Sequence, residues 1–361
     1  MKGERKTLGQ LFVPICLEIL CFMLTGMVDT MMLSSVGDQA VGAVGTANTY
    51  IGIFIIMFSI ISSGMIAVMT QYIGAGRKGI AYQARQLGLI FNAVIGVVLS
   101  VILFCFAENV LLMVGVADRL RGYAATYLKI VGGSCILNAL IPIFSSYLRA
   151  FGHTKQSLFA TIAGNVVNLI LNAVFLFVFH MGVMGVALAT VISRILNLLI
   201  VIIASHLLVD AGKDPERITN KEVFGKIISI GLPSALETGL YNLAMTLIIR
   251  FLNQMDTDGI NVTARSYAMQ ITNFSYCAGA ALAQANAILT GWRIGAGKYE
   301  ECDKGTRKAA VIGVVAAAVL ESAFAASSGI LMRMFTEDSL MIALVGRLLA
   351  IDILLEIGRT T

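Results

Sequence analysis

Asp29 lies in a long apolar stretch, and Glu18, eleven positions earlier, falls on nearly the same face if that stretch is helical, about 16 Å away along the axis. An ionisable side chain in hydrocarbon costs at least about 2.5 kcal/mol, so a carboxylate kept there is a candidate for binding a proton or a cation. Asn165, Asn168 and Asn172 recur at i, i+3 and i+7 in a later apolar stretch, and Thr190, Arg194 and Asn197 form a similar stripe in the next. A carboxylate, amides and a hydroxyl brought together would make a polar pocket inside a membrane. The same amides also suit plain bonding between helices, worth about 0.6 kcal/mol per contact, and for the Asn stripe both readings stand. Glu237, with Tyr241 one turn on, and Glu321, Asp352 and Glu356 add acids in the second half of the chain. Arg347 and Arg359 are placed to pair with Asp352 and Glu356, which would make those acids structural. Lys129 and Arg194 are possible ion partners for acids of the first half, and such a partner keeps an acid charged.

The elements that must carry these residues follow from composition. Of 361 residues, 58% are hydrophobic and 13% charged, outside the range of a soluble chain. Apolar runs long enough to cross a bilayer recur at about 8–33, 44–72, 87–106, 123–147, 157–179, 184–209, 224–251, 262–291, 308–331 and 340–358. None alternates as a barrel strand would, so the fold class is all-α, a polytopic transmembrane helix bundle. The first run is too long and too acidic for a cleavable signal. Cys16, Cys21, Cys105, Cys135, Cys277 and Cys302 lack paired spacing, which predicts neither disulfides nor a metal site. His153, His180 and His206 are dispersed near helix ends, no Walker pattern is present, and no catalytic groups cluster at one interface. No enzyme chemistry, cofactor or ATP-driven step is expected. The net charge of +5 sits in short loops rather than on one basic face, which argues against nucleic acid.

Those loops give an orientation. Lys2, Arg5 and Lys6; Arg77, Lys78 and Arg85; Arg149 and Lys155; Lys213, Arg217, Lys221 and Lys226; and Arg293, Lys298, Lys304, Arg307 and Lys308 all fall on one side, with Arg119, Arg121 and Arg333 the minority. The positive-inside rule makes that side cytoplasmic, the N-terminus included. A phrase is also written twice: "IGAGRKG" from Ile73 and "IGAGKYE" from Ile294, with Pro14 and Glu18 of "VPICLEIL" answered by Pro233 and Glu237 of "LPSALETGL". Two copies of one unit, pointing the same way across the membrane, follow; such parallel repeats are a known transporter plan. The expected organisation is a six-helix lobe at 1–209, a polar cytoplasmic linker at 210–222 and a second lobe at 223–361 holding about four helices, which reads as truncated by about two. A passive channel fits a two-lobe repeat less well than alternating access does.

The stretches "VDTMMLSSVGDQAVGAVG", "QYIGAGRKG", "YLRAFGHTK", "NVVNLILNAVF", "GVMGVALATVISR", "GLPSALETGLYNLA" and "ALAQANAILTGWRIGAGKYEEC" together resemble the multidrug and toxic compound extrusion family over nearly the whole chain. The resemblance implies two lobes around a central cavity, and export of small organic cations in exchange for protons or sodium ions across the plasma membrane. It implies that Asp29 of the "DT" motif is the main coupling residue. One branch completes a cation site with an Asn, an Asp and a Thr on the fifth and sixth helices; Asn168 and Thr190 match, and Asn172 stands where the Asp would be. Another branch uses an acid of the second half, which corresponds to Glu237, with Asp352 or Glu356 as its partner. Glu18, Asn165, Arg194, Tyr241, Asp352 and Glu356 are further candidates to line the substrate cavity. Apart from membrane lipids no macromolecular partner is expected, and the protein is expected to act as a monomer. The alternative within the broader superfamily is a flippase for lipid-linked oligosaccharides or peptidoglycan precursors, which would want a strongly cationic cavity.

Overall fold

The fold follows the apolar runs. A computed structural model of the chain describes residues 6–113, 116, 118–209, 218–255, 260–333 and 338–359. In order these form α1 (Leu8–Ser34), α2 (Asp38–Gly74), α3 (Lys78–Cys105), α4 (Ala107–Met113), α5 (Asp118–Tyr127), α6 (Cys135–Ala150), α7 (Thr154–Ala173), α8 (Gly182–Leu208), α9 (Asn220–Met255), α10 (Ile260–Gly295), α11 (Tyr299–Ala326), α12 (Ser328–Met332) and α13 (Ser339–Arg359). Every apolar run has its helix. Among the described residues seven helices are long and apolar enough to span a bilayer, and α5 and α6, bent by 44° at their junction, make an eighth if the pair is taken as one span. α10 and α13 are long enough but carry Arg265, Gln270 and Gln284, and Arg347, Asp352 and Glu356, respectively. The short helices α4 and α12, and the π-helical turns at Leu128–Gly132 and Val174–Val178, leave no mark in the hydropathy pattern. Much of the expected linker, 210–217, lies outside the described residues, as do Lys2, Arg5, Lys213 and Arg217.

The twice-written phrase is a helix stop. At the end of α2, the Gly76 N–H donates to the Ile73 carbonyl at 3.0 Å and the Arg77 N–H to the Tyr72 carbonyl at 2.8 Å, with Gly76 at φ +80°. Gly297 at φ +72° repeats both bonds at the end of α10, 3.0 Å to Ile294 and 2.8 Å from Lys298 to Arg293. Two backbone carbonyls are satisfied each time, and the left-handed residue between them costs least as glycine. Gly152 of "YLRAFGHTK" makes the same turn after α6.

By contact the chain divides into Cys21–Leu236 and a second unit made of Met1–Leu20 with Glu237–Thr361. The larger unit holds α2 to α8 with parts of α1 and α9. Its α2 and α9 meet backbone to backbone: a Cβ on Gly64 would overlap the Ile227 carbonyl oxygen and lie 3.0 Å from the Gly231 nitrogen, and one on Gly231 would overlap the carbonyl oxygen of Ile60. Small residues at such crossings replace the hydrophobic drive that lipid removes. In this unit Arg85 departs from expectation. It lies not in a solvated loop but within α3, only 6% exposed, with its guanidinium 4.6 Å from the Tyr82 ring and 4.7 Å from that of Tyr147. In the other unit α10, α11 and α13 pack on one another around Ala268, Val345 and Leu349, and the Cys277 thiol reaches the Cys16 carbonyl of α1 at 3.8 Å. Large side chains that face outward, such as Phe159 and Leu207, are the normal surface of a lipid-embedded helix.

Candidate functional site

In the larger unit the predicted polar stripes meet. Two asparagines of α7 bond to α1. The Asn165 amide donates to the Cys21 carbonyl at 3.2 Å, and Asn172 Nδ2 donates to Asp29 Oδ1 at 2.7 Å. The same Nδ2 is 3.2 Å from Asn168 Oδ1, so Asn168 holds the amide that holds the carboxylate. Asn168 and Asn172 are buried, and Asp29 is half-buried. Hydrogen bonds to a charged acceptor are worth about 1.5–3 kcal/mol, more than neutral ones, which makes the Asn172 contact the strongest polar tie between α1 and α7.

α8 supplies the other wall. Thr190 donates its hydroxyl hydrogen to the Val186 carbonyl at 2.9 Å, which leaves its oxygen free to accept. The hydroxyl of buried Tyr127 lies near that oxygen and near Asn48, interacting with both. One turn on from Thr190, the Arg194 guanidinium is close enough to Asp29, Tyr127 and Cys135 to interact with each electrostatically, and its Nη1 is buried with no hydrogen-bond partner among the described residues. Asn197, next on the stripe, packs instead against Gly164 at the α7 and α8 crossing. Asp29, Asn168, Asn172, Thr190 and Arg194 therefore share one pocket, whereas Asn165 acts as a tie between helices. Tyr127 and Asn48 join that pocket although neither belongs to a periodic polar stripe. Lys129 does not join it: the first-half acid that its ammonium pairs with is Glu108 of α4, at 2.6 Å.

The smaller unit gathers a second set. Glu321 of α11 and Glu356 of α13 are buried, Asp352 is half-buried, and all three interact electrostatically with one another or with Arg265 and Arg359. Arg359 donates from Nη1 to Glu356 Oε1 at 2.7 Å and stacks 3.8 Å from the Tyr276 ring and 5.0 Å from that of Tyr241. The pairing of Arg359 with Glu356 follows the sequence expectation. Glu18 is buried in this unit too, while Glu237 is exposed and outside the acid cluster. Among the described residues no group of three or more His, Cys, Asp or Glu is arranged to hold a metal ion.

Similarity to known proteins agrees with the geometry. The chain is 33% identical to the uncharacterised transporter YisQ of Bacillus subtilis over 96% of its own length and 77% of that protein's. It is 24% identical to the probable multidrug resistance protein NorM of Thermotoga maritima, over 94% of this chain and 72% of that one. Its fold superposes with a TM-score of 0.86 at 20% identity on an outward-facing multidrug resistance MATE family transporter of the MOP superfamily, covering 98% of this chain and 79% of that one. The model of the MatE family matches residues 14–174 and again 233–360, the two stretches that carry the doubled Pro, Glu and glycine motifs. A multi-pass helical membrane protein with these repeats and these matches belongs to the MatE family of transporters.

Proposed function

We propose that the chain is a secondary active antiporter that exports small organic cations in exchange for protons by alternating access, with Asp29 as the shared coupling residue. The observation that carries this reading is the Asn172 amide donating to the Asp29 carboxylate at 2.7 Å within a pocket of amides, hydroxyls and one guanidinium. A carboxylate only accepts, as it does from Asn172; a protonated carboxyl keeps an accepting carbonyl oxygen but gains an O–H that must find an acceptor. Proton arrival thus removes the charge that attracts a cation and adds a donor that the network must accommodate on the same step. Exchange follows from competition, because Asp29 serves the proton or the cation and not both.

Swapping one inward proton for one outward monovalent cation moves no net charge, so the membrane potential drops out. A pH difference of one unit then supplies about 1.4 kcal/mol, a tenfold accumulation. Protons suit the pocket better than sodium. Hard cations seek several oxygens and net negative charge, and here the single carboxylate is offset by Arg194 while Asn172 supplies an amide beside it. Glu237, Glu18, Asn165, Tyr241, Asp352 and Glu356 line or support the substrate path in this reading, in two lobes at 1–209 and 223–361 joined by 210–222. The Lys and Arg distribution supports a cytoplasmic N-terminus in the plasma membrane, with a monomer as the working unit.

Ethidium efflux from cells expressing the chain, with the pH and sodium gradients collapsed separately, tests the reading. Efflux should stop when the pH gradient is lost and continue without sodium. Efflux that stops only on sodium removal would overturn proton coupling.

A further inference from the structure

The smaller unit contains a cavity of about 660 Å³ that the transport reading does not use. It runs between the start of α1 and one face each of α10 and α11. On α10 the lining positions are Ser275, Ala278, Gly279, Leu282, Asn286, Leu289 and Arg293, a single helical face about 27 Å long. On α11 Gly305, Gly313, Ala316 and Ala317 face it. The groove stays open because these residues are too small to fill it, and Leu282, Leu289 and Ile312 make its walls apolar. Its volume lies within the roughly 300–1,000 Å³ of small-molecule sites.

Charge is confined to one end. Lys6 precedes α1, Arg293 ends α10 and Lys308 lies two turns into α11, so three basic side chains line the groove near helix ends. The Arg293 guanidinium lies directly against Gly305, where any Cβ would displace it. Neighbouring cations of the same region are neutralised: Lys298 by Glu301, Lys304 by Glu300 and Arg307 by Asp303. No carboxylate among the described residues pairs with Arg293 or Lys308. An organic cation would be repelled at this mouth, so the groove does not belong to the export path.

We propose that this groove is a binding site for an anionic phospholipid, whose phosphate sits among Lys6, Arg293 and Lys308 and whose acyl chain lies along the small-residue faces of α10 and α11. Arg favours bidentate phosphate contacts, and each basic group near an anionic headgroup contributes enough that two together are worth on the order of tenfold or more in affinity. The orientation proposed above makes the lipid one of the inner leaflet; the site itself does not depend on it.

Trp292, the single tryptophan, precedes Arg293 on α10 and is the fluorophore nearest to it in sequence. The purified chain is reconstituted in phosphatidylcholine vesicles containing a small fraction of brominated phosphatidylglycerol or, in parallel, brominated phosphatidylcholine. Trp292 should be quenched more by the anionic lipid, saturably, and excess inorganic phosphate should not displace it. The apparent affinity should fall about tenfold in Arg293→Gln/Lys308→Gln. Ala316→Phe, which fills the groove and keeps the charges, should abolish the excess. Equal quenching by the two lipids, displacement by phosphate, or an excess that survives Ala316→Phe in a protein of unchanged helicity would overturn the proposal.

Discussion

Replacing Asn172 by Asp puts a carboxylate oxygen where an amide nitrogen now donates to Asp29 at 2.7 Å. Two changes follow at once. The donated bond to a charged acceptor is lost, at a cost of about 1.5–3 kcal/mol. In its place two like charges face each other, and at 4 Å in an effective dielectric of 20 they repel by about 4 kcal/mol, more at shorter range. The sum, about 6 kcal/mol, exceeds what such a pair can hold without compensation. A shared proton supplies it, and so does a monovalent cation bridging the oxygens, for which Asn168 Oδ1 and the Thr190 hydroxyl are at hand. Asn172→Asp should therefore make ethidium efflux respond to sodium at least tenfold more than the parent protein does. The assay is efflux from vesicles with sodium varied at fixed pH. A variant with the parent's sodium and pH responses would refute the reasoning, since it would mean that position 172 does not touch Asp29 in the working protein.

Further outcomes follow from the fold. Gly231→Ala inserts a Cβ into the Ile60 carbonyl and should destabilise the protein by about 3 kcal/mol, the upper end for overpacking, read as a lowered thermal midpoint in detergent; an unchanged midpoint would contradict the α2 and α9 crossing. Gly297→Ala places a Cβ on a residue at φ +72° and should cost about 1–2 kcal/mol in the same assay, against no penalty if the helix stop is unimportant. The Lys129 ammonium holds the Glu108 carboxyl below its ordinary value of 4.5, so this pair stabilises the fold above that pH and the contribution is lost as pH falls through the lowered value. Because both side chains are largely exposed, Lys129→Gln should shift the acid limb of a stability profile only slightly and leave the pH dependence of efflux unchanged; an altered efflux profile would place Lys129 in the coupling network.

The parts of this molecule that sequence reveals are those with a period or a special backbone. Apolar runs near 20 residues mark helices because hydrocarbon demands that length, and the "IGAG" phrases mark their ends because a left-handed residue there favours glycine. The stripes of Asn165, Asn168 and Asn172 and of Thr190 and Arg194 were legible because residues three, four and seven apart share a helix face. Tyr127 and Asn48 were not, since each is a single polar residue whose partner comes from another helix. The burial of Arg85 is hidden from sequence for a similar reason: Phe144 and Tyr147, which cover it, lie on α6, some sixty residues away. Sequence allows Lys129 any acid of the first half, and it is α4, invisible to hydropathy, that brings Glu108 to it. The acid cluster of Glu321, Asp352 and Glu356 shows the limit in the other direction, where composition names the residues and only packing of α11 on α13 says that they meet.

The central claim is that a proton and an organic cation compete for Asp29. Purified protein in a weakly buffered detergent solution, titrated with ethidium while proton release is followed with a pH indicator, tests it directly. The account predicts release approaching one proton per bound ethidium from the parent protein and none from Asp29→Asn. Undiminished proton release from Asp29→Asn would contradict it and place the exchange at another carboxylate.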